Sequence, residues 1–394
     1  MPSPRPSVSL ICVFNDAGVR EQCLDRSIER HRSEVEDLDY VQVDNRDGAF
    51  RSAGAAYNFG AARARHDHLV FVHQDVVLHS LAALERAAAA LDADHEIGLA
   101  GALGVRRRGQ LVGRIRDRVV LLGERPDGPV DVDAVDEMLF VVPRRAFQRE
   151  QLSEAPAFAW HAYAVDYGLR LRRDGLRVCA VDVPLTHNSF SVNTEELFTA
   201  YAELRRVYPE ALPIRTPSRT VRRWPLTDAR DGAIVRHAWR ARWLHESAAM
   251  HAGRRIVKGA RCVLGDIRWL IDQVLDGGSD PLLVVNLDRA GTFVEDRPNP
   301  LVLTRLGREL RMTSGDAEHA VVALQRAGNA NVLATGLRLA DLRAVAPHLR
   351  ASCPLLGYRR EIGYWLLVGP SVGDVAARLR TQRSTPAGMG PDVA

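Results

Sequence analysis

The amino-terminal half of the chain alternates short apolar runs with segments of helical periodicity. The runs Val8–Phe14 and His68–Val72 are almost continuously apolar, which is typical of strands covered on both faces. A third run, Val41–Val43, lies between them. Helical spacing precedes it at Val19, Cys23, Ser27 and Ile28, the small residues of Arg51–Gly60 could form a second helix, and helical spacing follows the last run at Leu81, Leu84, Ala88 and Leu91. The order β, α, β, α, β, α predicts a parallel, doubly wound α/β sheet.

The pattern then becomes irregular before it returns to strands and helices. Between about residues 98 and 150 the runs are short and separated by Arg- and Gly-rich turns, and Asp136–Pro143 is typical of another buried strand with two acids at its start. A helix through Val165 and Leu169 ends at a glycine stop, Asp174-Gly175. A further strand then leads to His187.

Changes in composition predict five segments. We expect a disordered tail at 1–6, a first domain at 7–222, a basic helical linker at 223–279, a small separate α/β domain at 280–380 and a disordered tail at 381–394. In the linker, Trp239 and Trp243 lie among arginines. They could contact an anionic membrane surface or pack between the two domains, and packing is favoured.

Composition and missing motifs exclude several classes of protein. A net charge of +4 gives no reason to expect nucleic-acid binding, and five cysteines without a C-x-x-C pair indicate a reduced, cytoplasmic protein. A peripheral position at the inner face of the membrane is the alternative location. The sequence has no Gly-x-Gly-x-x-Gly after its first strand, no phosphate loop, and no lysine before Lys258. Dehydrogenases, P-loop kinases and sugar nucleotidylyltransferases are therefore disfavoured.

A carboxylate marks the end of the apolar run His68–Val72. Asp75 closes the triplet His73-Gln-Asp75, and open α/β sheets bind ligands at the carboxyl ends of their strands. Upstream, the small residues of Arg51–Gly60 could bring a helix and its backbone close to a nucleotide. Together these features predict a nucleotide-sugar enzyme.

In their order and spacing, the motifs of residues 7–210 resemble those of the family 2 glycosyltransferases, which have the GT-A fold. The matching positions are Phe14-Asn15, Asp44, Gly54–Gly60 with Asn58, His73-Gln-Asp75, Asp136, Arg144-Arg145, Asp166 in D-x-x-x-R, and His187. The resemblance implies a Rossmann-like, mostly parallel nucleotide-sugar-binding sheet flanked by helices. It also implies a hexosyltransferase-type enzyme of polysaccharide biosynthesis or related pathways. Such an enzyme moves a sugar from a nucleoside-diphosphate donor to a hydroxyl of a glycan, a lipid-linked glycan or a secondary metabolite.

The resemblance assigns metal binding to Asp75, which would hold a divalent Mg or Mn ion against the two donor phosphates. Many relatives have a second acid in this motif, where His73 and Gln74 stand here. A single carboxylate is a weak site for either ion, so a further ligand is needed. His187 is the expected ligand and His73 is the alternative.

The resemblance also assigns the catalytic base to Asp166. In inverting relatives this residue takes the proton of the acceptor hydroxyl, which must lie within hydrogen-bond reach. Many relatives have Glu where Val165 precedes it. The alternative is an exposed helix salt bridge with Arg170, four residues on, which contributes only about 0.2–0.5 kcal/mol.

Further positions correspond to donor and acceptor contacts in the family. The expected nucleotide-sugar contacts are Cys12, Phe14, Asn15, Asp44, Asn58 and Gln74. A turn aspartate is an equal alternative for Asp44, as is an internal hydrogen bond for Asn58. The expected acceptor contacts are Asp136, Glu137 and Trp160. The alternatives are that the two acids simply face solvent and that Trp160 packs in the core.

The sequence also allows an alternative function for the first domain and several roles for the second. The thinned acidic motif also suits a non-catalytic nucleotide-sugar or glycan-binding scaffold with a degenerate GT-A site. The carboxy-terminal domain has no motif that indicates chemistry, and it could bind the acceptor, form a homo-oligomer interface or recruit a partner.

Overall fold

The computed structural model describes residues 5–377, with gaps at 107–108, 190–193, 219, 224–246, 264–279, 292, 294–308, 350–352 and 360–361. Trp239, Trp243 and the expected carboxy-terminal tail lie outside the described residues. The chain divides into two compact units, Met1–Arg118 with Leu122–Arg223, and Trp224–Ala394 with Val119–Leu121. No helix among the described residues is long and apolar enough to cross a membrane.

The strands as far as residue 223 are mostly short. In chain order they are β1 (Val8–Phe14), β2 (Leu38–Asp44), β3 (His68–His73), β4 (Val76–Leu78), β5 (Ile97–Gly101), β6 (Gly104–Arg106), β7 (Gln110–Val112), β8 (Ile115–Asp117), β9 (Val120–Leu122), β10 (Val130–Asp131), β11 (Ala134–Val135), β12 (Leu139–Pro143), β13 (Arg177–Ala180), β14 (Leu185–His187), β15 (Ile214–Arg215) and β16 (Thr220–Val221).

The helices of this unit lie between the strands. They are α1 (Ala17–Arg20, the π-helical turn Glu21–Asp25 and Arg26–His31), α2 (Ala53–Ala61), α3 (Ala82–Ala93), α4 (Arg144–Arg149), α5 (Tyr163–Arg173) and α6 (Thr194–Val207).

The central sheet has the strand order β10-β13-β5-β12-β3-β1-β2 among the described residues. β1 is parallel to both β2 and β3, and β13 is parallel to β5, whereas β12 runs antiparallel between β3 and β5. Leu69–Val72 in β3 are fully buried, as a strand covered on both faces requires. The predicted mostly parallel α/β sheet is confirmed.

Small residues let α2 approach the neighbouring backbone. A Cβ atom at Gly54 would lie 2.0 Å from the carbonyl oxygen of Ser153, and one at Gly60 would lie 2.5 Å from the Ile11 side chain. The small-residue segment of the sequence is thus a helix in close contact with its neighbours.

We expect Gly54→Ala to lower the free energy of unfolding by about 1–3 kcal/mol, because the added methyl group cannot fit without moving backbone. Gly18→Ala is the matched control. Gly18 also lies in a helix, and its nearest neighbouring atom is 3.4 Å from an added Cβ. Denaturant unfolding of both variants checks the prediction, and equal midpoints would contradict it.

A smaller sheet positions the end of β14 beside the end of β3. β14 lies between β4, to which it is antiparallel, and β8, to which it is parallel. In this register His187 is opposite Val76 on one side and Asp117 on the other. His187 is therefore adjacent to the segment that carries Asp75.

The second unit is a separate α/β unit, as predicted. Its strands are β17 (Arg261–Val263), β18 (Leu282–Leu287), β19 (Leu310–Gly315), β20 (Asn331–Leu337), β21 (Leu355–Arg359) and β22 (Gly363–Val368), and its helices include α7 (247–256), α8 (Ala317–Arg326) and α9 (Leu339–Val345). The strand order among the described residues is β17-β21-β22-β20-β18-β19, with β18 parallel to β19 and β20.

The described part of the expected linker 223–279 is folded into the second unit and does not form a linker. β17 pairs with β21, and Met250, Val257 and Ala260 are buried in the hydrophobic core of the second unit. These apolar residues give α7 and the following segment a face to bury. Residues 247–263 therefore belong to the second unit.

Candidate active site

His73, Asp75 and His187 form a cluster at the carboxyl ends of β3 and β14. One ligand atom from each lies within 4.8 Å of the others, and His187 Nε2 is 3.6 Å from Asp75 Oδ1. The backbone holds this arrangement, since Asn188 donates from both its main-chain N–H and its side chain to the Asp75 carbonyl. The structure thus brings together the two expected metal ligands and the alternative one.

The atoms that face each other in this cluster suit a divalent cation. Among the described residues, neither Asp75 Oδ1 nor His187 Nε2 has a hydrogen-bond partner, although both atoms are buried. A buried polar atom without a partner is costly, and a cation between the two would satisfy both. Two imidazoles with one carboxylate suit Mn²⁺ better than Mg²⁺, which prefers oxygen ligands.

The charge state of the histidines reflects their neighbours. Burial would lower the pKa of His187, but the carboxylates of Asp75 and Asp117 outweigh it and raise the pKa to about 9. Burial lowers the pKa of His73, and the charge of His187 contributes in the same direction. Without a metal ion, His187 therefore carries a proton near neutral pH, and a metal ion would displace it.

Each histidine also has a partner on another side. Tyr163 Oη lies 2.8 Å from His73 Nε2, and Asp117 Oδ1 lies 3.7 Å from His187 Nδ1. Tyr163 is the first residue of α5, so this contact ties the start of the helix to the cluster.

Asp166, the expected base, lies one turn further along α5. Its residue is only 3% exposed, and both carboxylate oxygens are bonded: Oδ1 accepts from Tyr208 Oη at 2.6 Å and Oδ2 from Arg170 Nε at 3.0 Å. Burial raises the pKa of Asp166 to about 6, although the Tyr208 hydrogen bond opposes the rise. In this structure the Asp166 carboxylate anchors α5 to Tyr208. The salt bridge between Asp166 and Arg170 is present, but it is buried, whereas the alternative was an exposed one.

The expected donor contacts fall into two groups. Gln74 bridges β3 to the end of β1, because Oε1 accepts from the main-chain N–H of Asn15 and Asp16 and Nε2 donates to Asn15 Oδ1. Phe14 is buried at the end of β1, with the Arg20 guanidinium 4.1 Å from its ring centroid. Cys12 is fully buried within β1, so its side chain is shielded from solvent in this structure.

Asp44 and Asn58 have partners of their own. Asp44 is exposed at the end of β2, and a two-pronged hydrogen bond with Arg46 lowers its pKa to about 2. Asn58 donates to the Leu152 carbonyl and Glu154 and accepts from the Leu152 N–H. For Asn58 the structure favours the internal hydrogen bonds over a nucleotide contact.

Of the expected acceptor residues, Asp136 and Glu137 interact electrostatically with the cluster histidines, and Trp160 lies at the surface. Asp136 caps the start of β12 by accepting from the Met138 N–H. Burial, with Asp136 next to it, raises the pKa of Glu137 to about 8. The charge of Asp136 acts on both cluster histidines, and that of Glu137 on His187. Trp160 is 38% exposed, so the alternative of a core tryptophan is wrong, and its acceptor contact stays a prediction.

A model of a glycosyltransferase-like family matches residues 9–208, which is half of the chain. The chain belongs to this family. The assignment to family 2 in particular remains a prediction. A comparison with curated proteins gives no match.

Solved glycosyltransferases are among the structures similar to this family member, at low identity. A mannosyltransferase from Pyrobaculum calidifontis, PcManGT, in complex with GDP-Man and Mn²⁺ has a TM-score of 0.38 and 15% identity, covering 54% of this chain and 65% of that one. GalNAc-T7 with UDP, GalNAc and Mn²⁺ has a TM-score of 0.38 and 13% identity, covering 53% and 50%. S. aureus TarS 1–349 has a TM-score of 0.34 and 11% identity, covering 52% and 65%. Less than two thirds of each of these structures is covered.

Three further residues of this glycosyltransferase-like protein contact His73, His187 or Asp166 and were not predicted from the sequence: Asp117, Tyr163 and Tyr208. Asp117 ends a three-residue strand inside an Arg-rich stretch, where no periodicity indicates a strand. Tyr163 had a usable signal, because it precedes Asp166 by three residues and so shares its side of a helix. Tyr208 lies 42 residues from its partner Asp166, and only the fold brings them together.

Proposed function

We propose that this protein is a metal-dependent, inverting glycosyltransferase. It transfers a sugar from a nucleoside-diphosphate donor to a hydroxyl of a glycan, a lipid-linked glycan or a secondary metabolite. The observation that carries the proposal is the buried cluster of His73, Asp75 and His187, in which Asp75 Oδ1 faces His187 Nε2 without a hydrogen bond among the described residues. Family membership supplies the reaction class.

Asp75, His187 and His73 would hold the metal ion. A divalent ion at this site supplies positive charge that stabilises the departing diphosphate. Two histidines and one carboxylate also hold Fe²⁺ in non-haem oxygenases, but membership of a glycosyltransferase-like family favours the diphosphate role.

Residues around the cluster would bind and orient the donor. The hydrogen bonds of Gln74 to Asn15 and Asp16 fix the loop after β1 relative to the metal site. Phe14 at the end of β1 and Asp44 at the end of β2 lie opposite each other in register, and we propose them for the base and ribose. Exposed Trp160 is available to stack on an acceptor sugar.

In an inverting displacement, a base takes the proton of the attacking hydroxyl while the bond to the diphosphate breaks. We retain Asp166 for this role, because a carboxyl with a pKa of about 6 is unprotonated and still basic near neutral pH. The role requires that acceptor binding release Asp166 Oδ1 from Tyr208. The configuration of the product tests it, since retention at the anomeric carbon would exclude a single displacement.

We expect kcat/KM, measured at saturating Mn²⁺, to rise about tenfold per pH unit on the acid side and to level off above pH about 6. Only the unprotonated carboxylate of Asp166 can accept the proton, so activity increases as the group loses its own. A pH profile of donor turnover checks this. An acid limb near pH 8 would instead point to Glu137, whose pKa is raised to about 8.

A thermal-shift screen tests the proposed donor and metal. The full chain, freed of metal, is heated with UDP, GDP or dTDP, each alone, with Mn²⁺ and with Mg²⁺. We expect one nucleotide to raise Tm only when a metal ion is present, and Mn²⁺ to give the larger shift. No shift with any pair would contradict the proposal, and a metal-independent shift would contradict the role of the cluster.

A further inference from the structure

His187 lies between two carboxylates that approach opposite nitrogens of its ring. Asp75 Oδ1 is 3.6 Å from Nε2, and Asp117 Oδ1 is 3.7 Å from Nδ1. The side chains of His187 and Asp117 are 16% and 10% exposed, so this row of charged groups is largely shielded from water. One side of the imidazole faces the cluster, and the other faces Asp117.

The backbone, not a mobile loop, places Asp117 there. In the parallel pair β14 and β8, Thr186 is opposite Arg116 and His187 is opposite Asp117. The N–H of Arg118 donates to the His187 carbonyl at 2.7 Å directly after Asp117. Arg118 has a φ of 55°, a left-handed conformation that ends β8 at this point.

We propose that Asp117 is a positioning residue for the metal site. Its carboxylate, at ion-pair distance from Nδ1 of His187, favours the tautomer with the hydrogen on that nitrogen, and it thereby keeps the lone pair of Nε2 directed at the metal position beside Asp75. The nitrogen of a histidine that binds metal is set by the hydrogen bond of the other nitrogen, and a carboxylate partner also makes the ring a stronger ligand. This inference rests on the proposed function, and it adds a residue that the sequence motifs do not contain.

His73 has a corresponding arrangement. Its Nε2 lies 2.8 Å from the hydroxyl of Tyr163, which leaves Nδ1 for the cluster. Both histidines are thus oriented by a buried partner outside the ligand set, Tyr163 in one case and Asp117 in the other. Because the two partners lie on different elements, α5 and β8, their effects can be separated by mutation.

The experiment measures Mn²⁺ binding to the metal-free full chain, with no donor present, by the EPR signal of free Mn²⁺. We expect Asp117→Asn to raise the Kd for Mn²⁺ by about 10–100-fold. Pulsed EPR of the bound ion should show a weaker ¹⁴N coupling, because the amide no longer fixes the tautomer of His187. Asp117→Ser serves the same test if the Asn variant does not fold.

Asp182→Asn is the matched control. Asp182 is 21% exposed, forms an ion pair with Arg125 at 2.8 Å and precedes β14 by three residues, outside the cluster. We expect it to bind Mn²⁺ as the wild type does. If wild-type protein binds Mn²⁺ and the Asp117 variants bind it equally well, the inference is wrong and the metal site stands. If the wild type binds no Mn²⁺, the proposed metal dependence fails together with the inference.

Discussion

Replacement of Asp75 by alanine is expected to lower donor turnover by about 10³-fold or more. Asp75 is the carboxylate of the cluster, and its oxygen faces His187 at 3.6 Å without another partner among the described residues. Without it, two histidines remain to hold the ion. Loss of several kcal/mol of stabilisation for the leaving diphosphate corresponds to a rate reduction of this size.

The measurement is release of nucleoside diphosphate by the full chain at saturating Mn²⁺, together with the Kd for Mn²⁺. Asp67→Ala is the matched control, because Asp67 directly precedes β3 at the opposite end of the strand and its side chain is 89% exposed. We expect that variant to behave as the wild type does. Turnover by Asp75→Ala within tenfold of the control would remove Asp75 from the site.

The second large effect concerns Asp166, whose replacement by alanine is expected to lower the free energy of unfolding by about 2–4 kcal/mol. The change leaves the hydroxyl of Tyr208 without its acceptor and removes one of two carboxylates from Arg170, which keeps its contacts with Glu150 and the Gln151 carbonyl. Asp174→Ala is the control, since Asp174 directly follows the same helix and is exposed. Denaturant unfolding measures the free energy of unfolding of both variants. Equal values would show that the buried contacts of Asp166 contribute little.

Asp166→Asn separates anchoring from catalysis. The amide is nearly isosteric, so much of the protein stays folded, but it cannot accept the proton of the acceptor. If Asp166 is the base, we expect kcat per folded molecule to fall by about 10²–10⁴-fold in this variant. Tyr208→Phe is the companion variant, because it removes one hydrogen bond and keeps the carboxylate. Unchanged kcat in Asp166→Asn would leave Asp166 as an anchor alone.

The sequence predicted the parts of the fold that depend on local pattern. Val8–Phe14 and His68–His73 could be recognised as strands because nearly every side chain in them is buried, and the end of the second marked Asp75. His187 was expected from the family resemblance. Its position beside Asp75 follows from pairing between β4 and β14, which are more than a hundred residues apart in the chain.

Other features depend on tertiary contacts that no local pattern encodes. Asp117 meets His187 through a strand pair that links two three-residue strands. Asp166 was expected to be either an exposed ion pair or a free base, and Tyr208 makes it a buried, doubly bonded group. Residues 247–263 were expected in a linker because the stretch is basic, yet β17 completes the edge of the second sheet.

The proposed function requires that the cluster of His73, Asp75 and His187 turn over a sugar nucleotide with a metal ion. The most direct measurement is release of nucleoside diphosphate from a panel of UDP-, GDP- and dTDP-sugars by chelator-treated protein, before and after addition of Mn²⁺. We expect no release before addition and release from one class of donor after it. Equal release in both states would contradict metal dependence, and donor binding without release under any condition would indicate a non-catalytic scaffold.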